Sequence, residues 1–369
     1  MKINNNIKIM KKYFAIAALA ALALASCGKN DVPETTGNAI SFNTYSATAT
    51  RANGSFVSGT DFSSVAAADQ IIGVYAWNTG ATAWADYTMT KPNFFSADNG
   101  VAVTLQGNGG TASATYDPVR YWPTDKANNK LTFFAYYPHT SKASGLTVND
   151  DAAAIPTFEF TVQDAAADQV DFMVADPVAD QTYDSNTADK GTVPFVFKHK
   201  LTQVKVYVKL SAEYAGATVK LDSLAFSGLK NKGTYTYDAT AAISNWSATS
   251  GDASYTVFNN AAGAALSTTE QQAGPTALSA TGDNAYIMLL LPQELTNAKY
   301  SIKYSVDYGD GNVVVNRFKD QALKTDTVAD WAPNKNVKYT FSIGFKEIKF
   351  TATAGAWEDG GTQPIDINN

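Results

Sequence analysis

Residues 193–210 read VPFVFKHKLTQVKVYVKL and form the longest strand-like stretch of the chain. Phe195, Phe197 and Leu201 occupy alternate positions, so an extended strand points their side chains to one face, which we expect to be core. Beyond Thr202 the apolar positions shift by one residue, and a β-bulge produces such a shift. The pattern therefore predicts a single bulged strand that opens a second domain.

Short strand-like stretches recur along the 369 residues, with turn-forming Gly, Pro, Asn and Asp residues between them. Clear examples are residues 70–77, residues 131–137 and a hairpin over residues 300–318. A series of strands separated by turns is typical of β-sandwiches, and the length gives room for two domains. The sequence thus predicts an extracytoplasmic all-β protein.

The N-terminal residues have the pattern of a secretion signal. Lysines precede an apolar stretch at residues 13–25, which is too short for a standard membrane-spanning helix. Cys27 is the sole cysteine, and the residues before it, Leu-Ala-Ser, resemble the lipobox of bacterial lipoproteins. We expect Cys27 to be lipidated, with several acyl chains including palmitate, because one chain anchors a protein only marginally. An ordinary signal peptide is the alternative.

These features predict the organisation of the whole chain. We expect a signal peptide (1–26), a polar tether (27–37), an N-terminal β-sandwich domain (38–179), a linker (180–191) and a C-terminal β-sandwich domain (192–369). Within the N-terminal domain, residues 38–45 are expected to form the first strand, and residues 46–55 a loop of small polar residues.

The composition argues against several classes of function. The formal net charge is −6, so we expect no nucleic-acid partner. The chain contains no P-loop, nucleophile elbow or dinucleotide fingerprint, which argues against an enzyme and against a bound cofactor. Residues 307–312, DYGDGN, lack the ligand spacing of an EF-hand and are better explained as a hairpin turn, so no metal site is expected.

His139 and His199 are the two histidines of the chain. His199 shares the parity of the apolar side chains on its predicted strand, which favours a hydrogen-bonded histidine in the core over a metal ligand or a catalytic base.

Several short motifs, taken in order, resemble the fimbrillins, which are subunits of type V pili made as lipoprotein precursors. The matching pieces are the lipobox at Cys27, Ile40-Ser41-Phe42, Thr50-Arg51-Ala52, Ile72-Gly73-Val74-Tyr75-Ala76, Tyr121-Trp122-Pro123, Phe133-Phe134-Ala135-Tyr136-Tyr137-Pro138, Asp171-Phe172-Met173, Phe197-Lys198-His199-Lys200-Leu201, Leu290-Leu291-Pro292-Gln293, Trp331, Asn334 and Tyr339.

This resemblance implies two β-sandwich domains of transthyretin-like topology and a structural, adhesive role in a pilus. Lipoprotein-processing enzymes would mature the precursor, and its lipid would hold it at the outer membrane. An arginine-specific protease would then remove the lipid with the first strand. A strand from another pilus subunit would fill the groove by donor-strand exchange, because an open sheet edge is a template for an added strand.

Three arginines are candidates for the cut. Arg120 falls in a predicted strand at residues 118–122, and Arg317 falls in the second arm of the hairpin. Arg51 lies among small polar residues in the predicted loop, where a protease can bind an extended segment. We therefore expect cleavage between Arg51 and Ala52.

The alternative is a surface lipoprotein that binds carbohydrate without polymerising. Trp77, Trp84 or Trp122 would then supply an aromatic platform on which a sugar ring stacks.

Overall fold

We describe a computed structural model of the chain over residues 38–46, 69–106, 113–237, 245–280, 285–344 and 348–356. The predicted all-β class is confirmed, because the regular structure of these residues is almost entirely strand. In addition there are single-turn 3₁₀ helices at Trp84–Asp86, Thr140–Lys142 and Ala166–Asp168.

The strands, in chain order, are β1 (Ser41–Ser46), β2 (Ile71–Gly80), β3 (Val101–Gln106), β4 (Ser113–Thr115), β5 (Lys130–Tyr137), β6 (Leu146–Asn149), β7 (Thr157–Thr161), β8 (Met173–Ala175), β9 (Val178–Gln181), β10 (Thr192–His199), β11 (Thr202–Leu210), β12 (Thr218–Leu229), β13 (Lys232–Thr236), β14 (Trp246–Ser250), β15 (Ala253–Ala265), β16 (Gln271–Ala273), β17 (Leu278–Ser279), β18 (Met288–Leu290), β19 (Gln293–Glu294), β20 (Lys299–Asp307), β21 (Val313–Ala322), β22 (Asp330–Trp331), β23 (Lys335–Ile343) and β24 (Ile348–Ala356).

The first sheet has the strand order β1-β10-β8-β5-β2-β3-β4, and β9 also pairs with β5. Its central strands are buried on both faces, since neighbouring residues of β5 such as Phe133 and Phe134 point to different cores. The side chains on the Phe133 face form what we call the first core. Its members are Ile40, Phe42, Ile72, Val74, Ala76, Phe95, Val103, Leu105, Trp122, Leu131, Phe133, Ala135, Tyr137, Met173, Ala175, Val193, Phe195 and Phe197.

The other face of the first sheet packs on a four-stranded sheet of order β14-β13-β7-β6. Phe158 of β7 lies 4.8 Å from Tyr136 of β5 between ring centroids, and Phe134 lies 6.3 Å from Phe158. Strand β7 pairs directly with β13, so this small sheet joins segments from the first and second halves of the chain.

A second pair of sheets is built from the later part of the chain. One has the order β17-β16-β11-β23-β24 with β18 also paired to β11, and the other has the order β15-β12-β20-β21. Aromatic side chains join their inner faces: Tyr300 of β20 lies 5.0 Å from Phe341 of β23, and Phe226 of β12 lies 5.6 Å from Tyr339 of β23. Alternate residues of β20 are buried, as its sequence pattern predicts.

The prediction of a single strand over residues 193–210 is wrong. Strand β10 ends at His199 and belongs to the first sheet, whereas β11 begins at Thr202 and belongs to the six-stranded sheet. Between them, the Lys200 amide donates to the Phe172 carbonyl oxygen, and the Lys200 carbonyl accepts from the Trp246 indole at 2.8 Å. The chain leaves one ladder at this point and enters another, so the shift in apolar parity marks the passage between two cores.

The core assignments within this segment are confirmed, because Phe195, Phe197 and Leu201 are fully buried. Phe195 and Phe197 lie in the first core, and Leu201 lies in the cluster that includes the second pair of sheets.

The division into domains at residues 180–191 stays a prediction. The strand pairing constrains it, since β10 belongs to the first sheet although its residues fall within the predicted C-terminal domain. The predicted linker itself begins with the last two residues of β9.

We predict that replacing Phe197 with alanine lowers the free energy of unfolding by about 3–5 kcal/mol, because it leaves a cavity in the first core. The neighbouring Val196 is 44% exposed, so the matched change Val196→Ala is expected to cost about 0.5 kcal/mol or less. Urea unfolding of the two variants measures the difference. Equal losses would contradict the core position of Phe197.

Candidate functional site

The first strand of the chain is the feature around which a functional site can be built. Strand β1 pairs in parallel with β10, residue by residue from Ser41 opposite Thr192 to Ser46 opposite Phe197. Its predicted position at residues 38–45 is therefore confirmed to within a few residues. The chain passes from β1 to β2 through residues 47–70, so β1 is a separate, short segment inserted at the side of β10.

One side chain of β1 and one immediately before it reach the first core. Ile40, immediately before the strand, is 2% exposed, and Phe42 is fully buried. The Phe42 ring lies among four other aromatic rings, with centroid distances of 5.8 Å to Phe95, 5.6 Å to Tyr116, 5.9 Å to Phe133 and 5.7 Å to Phe195. Three of these contacts are edge-to-face, a favourable arrangement of aromatic pairs. Phe42 therefore fills an aromatic pocket as a plug.

Polar contacts tie the strand to segments that are distant in sequence. The Ser41 amide donates to the Gly191 carbonyl oxygen at 3.0 Å, and the Asn43 side-chain amide donates to the Asp189 carboxylate at 3.3 Å. On the opposite edge, the Ile40 amide donates to the Arg120 carbonyl oxygen at 2.9 Å. Because these partners all belong to other parts of the chain, β1 is held in place by non-covalent contacts on both sides.

The predicted site residues Cys27, Arg51 and Ala52 lie outside the described residues. Their roles in lipidation and cleavage therefore stay predictions. Arg51 and Ala52 fall in the segment that joins β1 to β2.

The prediction that Arg120 lies in a strand over residues 118–122 is wrong. The segment is a loop with an isolated bridge between Tyr121 and Ala39, and the Arg120 side chain is exposed. A proline at position 118 and the contact with β1 explain this, because the main chain of Arg120 bonds to Ile40 instead of extending a ladder. Arg317 lies in β21, as predicted, in register with Lys303, and its side chain is also exposed.

The two histidines do not form a joint site in the contacts that the structure describes. His199 is buried, and its Nδ1 lies 2.8 Å from a carboxylate oxygen of the equally buried Asp171. The prediction that His199 is a core residue is thus confirmed, and the charged partner that faces its ring is Asp171. His139 begins the 3₁₀ helix at 140–142 and accepts a hydrogen bond from the Ser141 amide at 3.2 Å. Burial lowers the pKa of His139 below its ordinary value.

Residues 307–312 form the hairpin turn between β20 and β21, as predicted. The Asp307 carboxylate accepts from the Gly309 amide, and the Asp310 carboxylate accepts from the Asn312 amide, both at 2.9 Å. Over the described ranges there is no group of three or more His, Cys, Asp and Glu side chains that could hold a metal ion. In the same ranges, no helix is long and apolar enough to cross a membrane.

The three tryptophans proposed as a sugar platform are mostly inside the protein. Trp77 and Trp122 are buried, and their indole N–H groups donate to the carbonyl oxygens of Thr90 and Gly191. Trp84 is half-buried and packs between Trp77, at 5.4 Å, and Tyr87, at 6.0 Å. Two of the three are therefore core residues.

The model of the fimbrillin-like family matches residues 50–357. This chain belongs to the fimbrillin-like family. The resemblance found in the sequence motifs is thereby confirmed.

Two relatives show how far the similarity extends. Fimbrium subunit Fim1C of Phocaeicola vulgatus is 31% identical over 263 residues, which make up 65% of this chain and 63% of that protein. The crystal structure of a fimbrial protein from Bacteroides vulgatus ATCC 8482 has a TM-score of 0.59 at 21% identity, covering 87% of this chain and 100% of that one. The similarity to this crystal structure shows that the two proteins share a fold. Membership of the fimbrillin-like family is what these comparisons show, and the match spans 63% of the length of Fim1C.

We predict that Phe42→Ala lowers the free energy of unfolding by about 3–5 kcal/mol, because the pocket between the four rings is left empty. Ser41→Ala is the matched control on the same strand, with an expected loss of about 0.5 kcal/mol or less, since Ser41 contributes a partly exposed side chain outside the pocket. Urea unfolding followed by tryptophan fluorescence compares the two. If Phe42→Ala costs no more than Ser41→Ala, Phe42 is not a plug.

Proposed function

We propose that this fimbrillin-like chain is a structural subunit of a cell-surface pilus that serves adhesion. In this proposal it is made as a precursor lipidated at Cys27, cut after Arg51 by an arginine-specific protease, and polymerised by donor-strand exchange. The observation that carries the proposal is β1: a short strand, plugged into an aromatic pocket by Phe42, whose link to β2 contains Arg51.

A single cut in that link would change how β1 is held. Before the cut, β1 belongs to the same chain as β10 and cannot diffuse away. Afterwards it remains attached through the β10 ladder, the Ile40 and Phe42 side chains and a few polar contacts. Burial of two such side chains is worth about 3–6 kcal/mol, taken at ~1.5–3 kcal/mol each. A strand held at that strength can be replaced by another strand with better contacts.

Departure of β1 would create the acceptor for the next subunit. It would leave the outer edge of β10 without its parallel partner and would open the pocket lined by Phe95, Tyr116, Phe133 and Phe195. An unpaired edge offers main-chain hydrogen bonds to any extended segment, and the pocket selects apolar side chains at alternate positions. The partner of this site is therefore an extended strand of another pilus subunit.

The remaining partners in this proposal act on the precursor form of the chain. Lipoprotein-processing enzymes would act at Cys27, and the lipid would hold the uncut chain at the outer membrane. Cutting after Arg51 would release the lipid and β1 together, because Cys27, Ile40 and Phe42 all precede Arg51 in the chain.

We predict that Arg51→Ala abolishes assembly. Purified precursor treated with an arginine-specific protease should lose its N-terminal segment and form ladders of polymers on a denaturing gel, whereas the variant should stay full-length and monomeric. Arg120→Ala is the matched control, since Arg120 is exposed but its main chain is bonded to β1, and it should polymerise normally. Fibres that form from Arg51→Ala with residues 27–51 retained would refute cleavage as the switch.

We predict that Cys27→Ala prevents lipidation and membrane attachment. Metabolic labelling with a palmitate analogue should mark the wild-type precursor and the control Thr35→Ala, which changes the tether only. The Cys27→Ala precursor should be unlabelled and should no longer fractionate with outer membranes. Normal labelling of the variant would contradict the assignment.

A further inference from the structure

The two edges of β1 are held in different ways. One edge forms a parallel ladder with β10 along the whole strand. On the other edge, residues 116–121 contact the beginning of the strand. The Tyr116 hydroxyl donates to the Ile40 carbonyl oxygen at 2.8 Å, the Ile40 amide donates to the Arg120 carbonyl oxygen at 2.9 Å, and Ala39 forms a bridge with Tyr121. These contacts fall at two adjacent residues, Ala39 and Ile40.

Tyr116 is itself fixed by its surroundings. Its ring packs on Phe42, at 5.6 Å, and on Phe95, at 5.4 Å, while its hydroxyl accepts a hydrogen bond from the Arg120 amide at 3.3 Å. Burial raises the pKa of Tyr116 above its ordinary value, so the hydroxyl keeps its proton and remains a donor at neutral pH. One side chain thus contacts the Phe42 ring, the Phe95 ring of the same pocket and the main chain of Ile40, immediately before β1.

We propose that Tyr116 is a clasp: a positioning residue that holds the start of β1 in the sheet and limits how fast the strand leaves. The use of this clasp in assembly rests on the function proposed above, whereas the clasp itself is a property of the uncut chain.

The clasp acts on β1 independently of its ladder with β10. After a cut at Arg51, β1 belongs to a fragment held only by non-covalent contacts, and the Tyr116 bond to the Ile40 carbonyl oxygen is one of them. Because the hydroxyl bonds a main-chain carbonyl, it holds the strand whatever side chain stands at position 40.

Amide hydrogen exchange of the uncut, full-length chain tests the clasp without any protease. Tyr116→Phe removes the hydroxyl and keeps the ring. The amides of residues 40–46 should then exchange about tenfold faster, the effect expected for loss of one hydrogen bond to a buried strand. Amides of β5 in the same sheet should keep their wild-type rates. Tyr304→Phe is the matched control, because the Tyr304 hydroxyl donates to the Gly344 carbonyl oxygen at 3.0 Å, away from β1, and its loss should leave residues 40–46 unchanged.

Two results would overturn the clasp. Unchanged exchange at residues 40–46 in Tyr116→Phe would show that the hydroxyl does not restrain β1. Equal acceleration in β1 and β5 would show that Tyr116 supports the whole sheet.

A second experiment uses the cut chain: the fragment that ends at Arg51 should dissociate about tenfold faster from Tyr116→Phe than from the wild type. Dissociation at the wild-type rate would contradict a role in release. Failure to produce the fragment in either protein would refute the proposed function, while the exchange result would stand.

Discussion

The seating of the Phe42 ring among four aromatic rings is the contact on which the first core depends. Those rings come from β5, from β10 and from the segments around Phe95 and Tyr116, so one side chain joins parts of the chain that share no turn or hairpin. Buried aromatic side chains contribute large apolar areas. Because protein interiors are closely packed, few other side chains could fill the space of the Phe42 ring. The strand that carries Phe42 is joined to β2 by residues 47–70, but it pairs with β10, which lies far along the chain.

The two buried faces of the first sheet pack against different cores. On the face toward Phe42, the core is closed by β1. The opposite face is packed on the small sheet of β14, β13, β7 and β6 through Phe158, Tyr136 and Phe134, and β1 takes no part in that contact. In the strand exchange proposed above, these contacts of the opposite face would hold the sheet while the groove is open.

Much of this architecture is predictable from sequence wherever the relevant contacts are local. Apolar stretches bounded by turn residues predict β2 and β5, alternation predicts the first arm of the β20–β21 hairpin, and the burial of Phe195, Phe197 and Leu201 follows from parity alone. A shift of parity, however, looks the same for a bulge within one strand and for a passage between two sheets, which is why residues 193–210 are assigned wrongly. Tyr116 could not be found in this way, because its partner Ile40 is 76 positions away and the residues around it have no strand pattern. Cys27 and Arg51 are predicted from the resemblance to a family, with no contact to test them.

The parallel pairing of β1 with β10 has a consequence for the order of folding. Asn43 and its partner Asp189 lie 146 positions apart, so during synthesis the N-terminal strand emerges long before the strand it must join. Contacts of such long sequence separation form late, because the loop between them has to close first. A folding chain thus passes through a state whose groove is empty, which is the state that the proposed cut would produce. Its own β1, held nearby by the chain at an effective concentration on the order of millimolar, outcompetes strands of neighbouring molecules. The covalent connection between β1 and β10 therefore favours pairing within one molecule over pairing between two molecules.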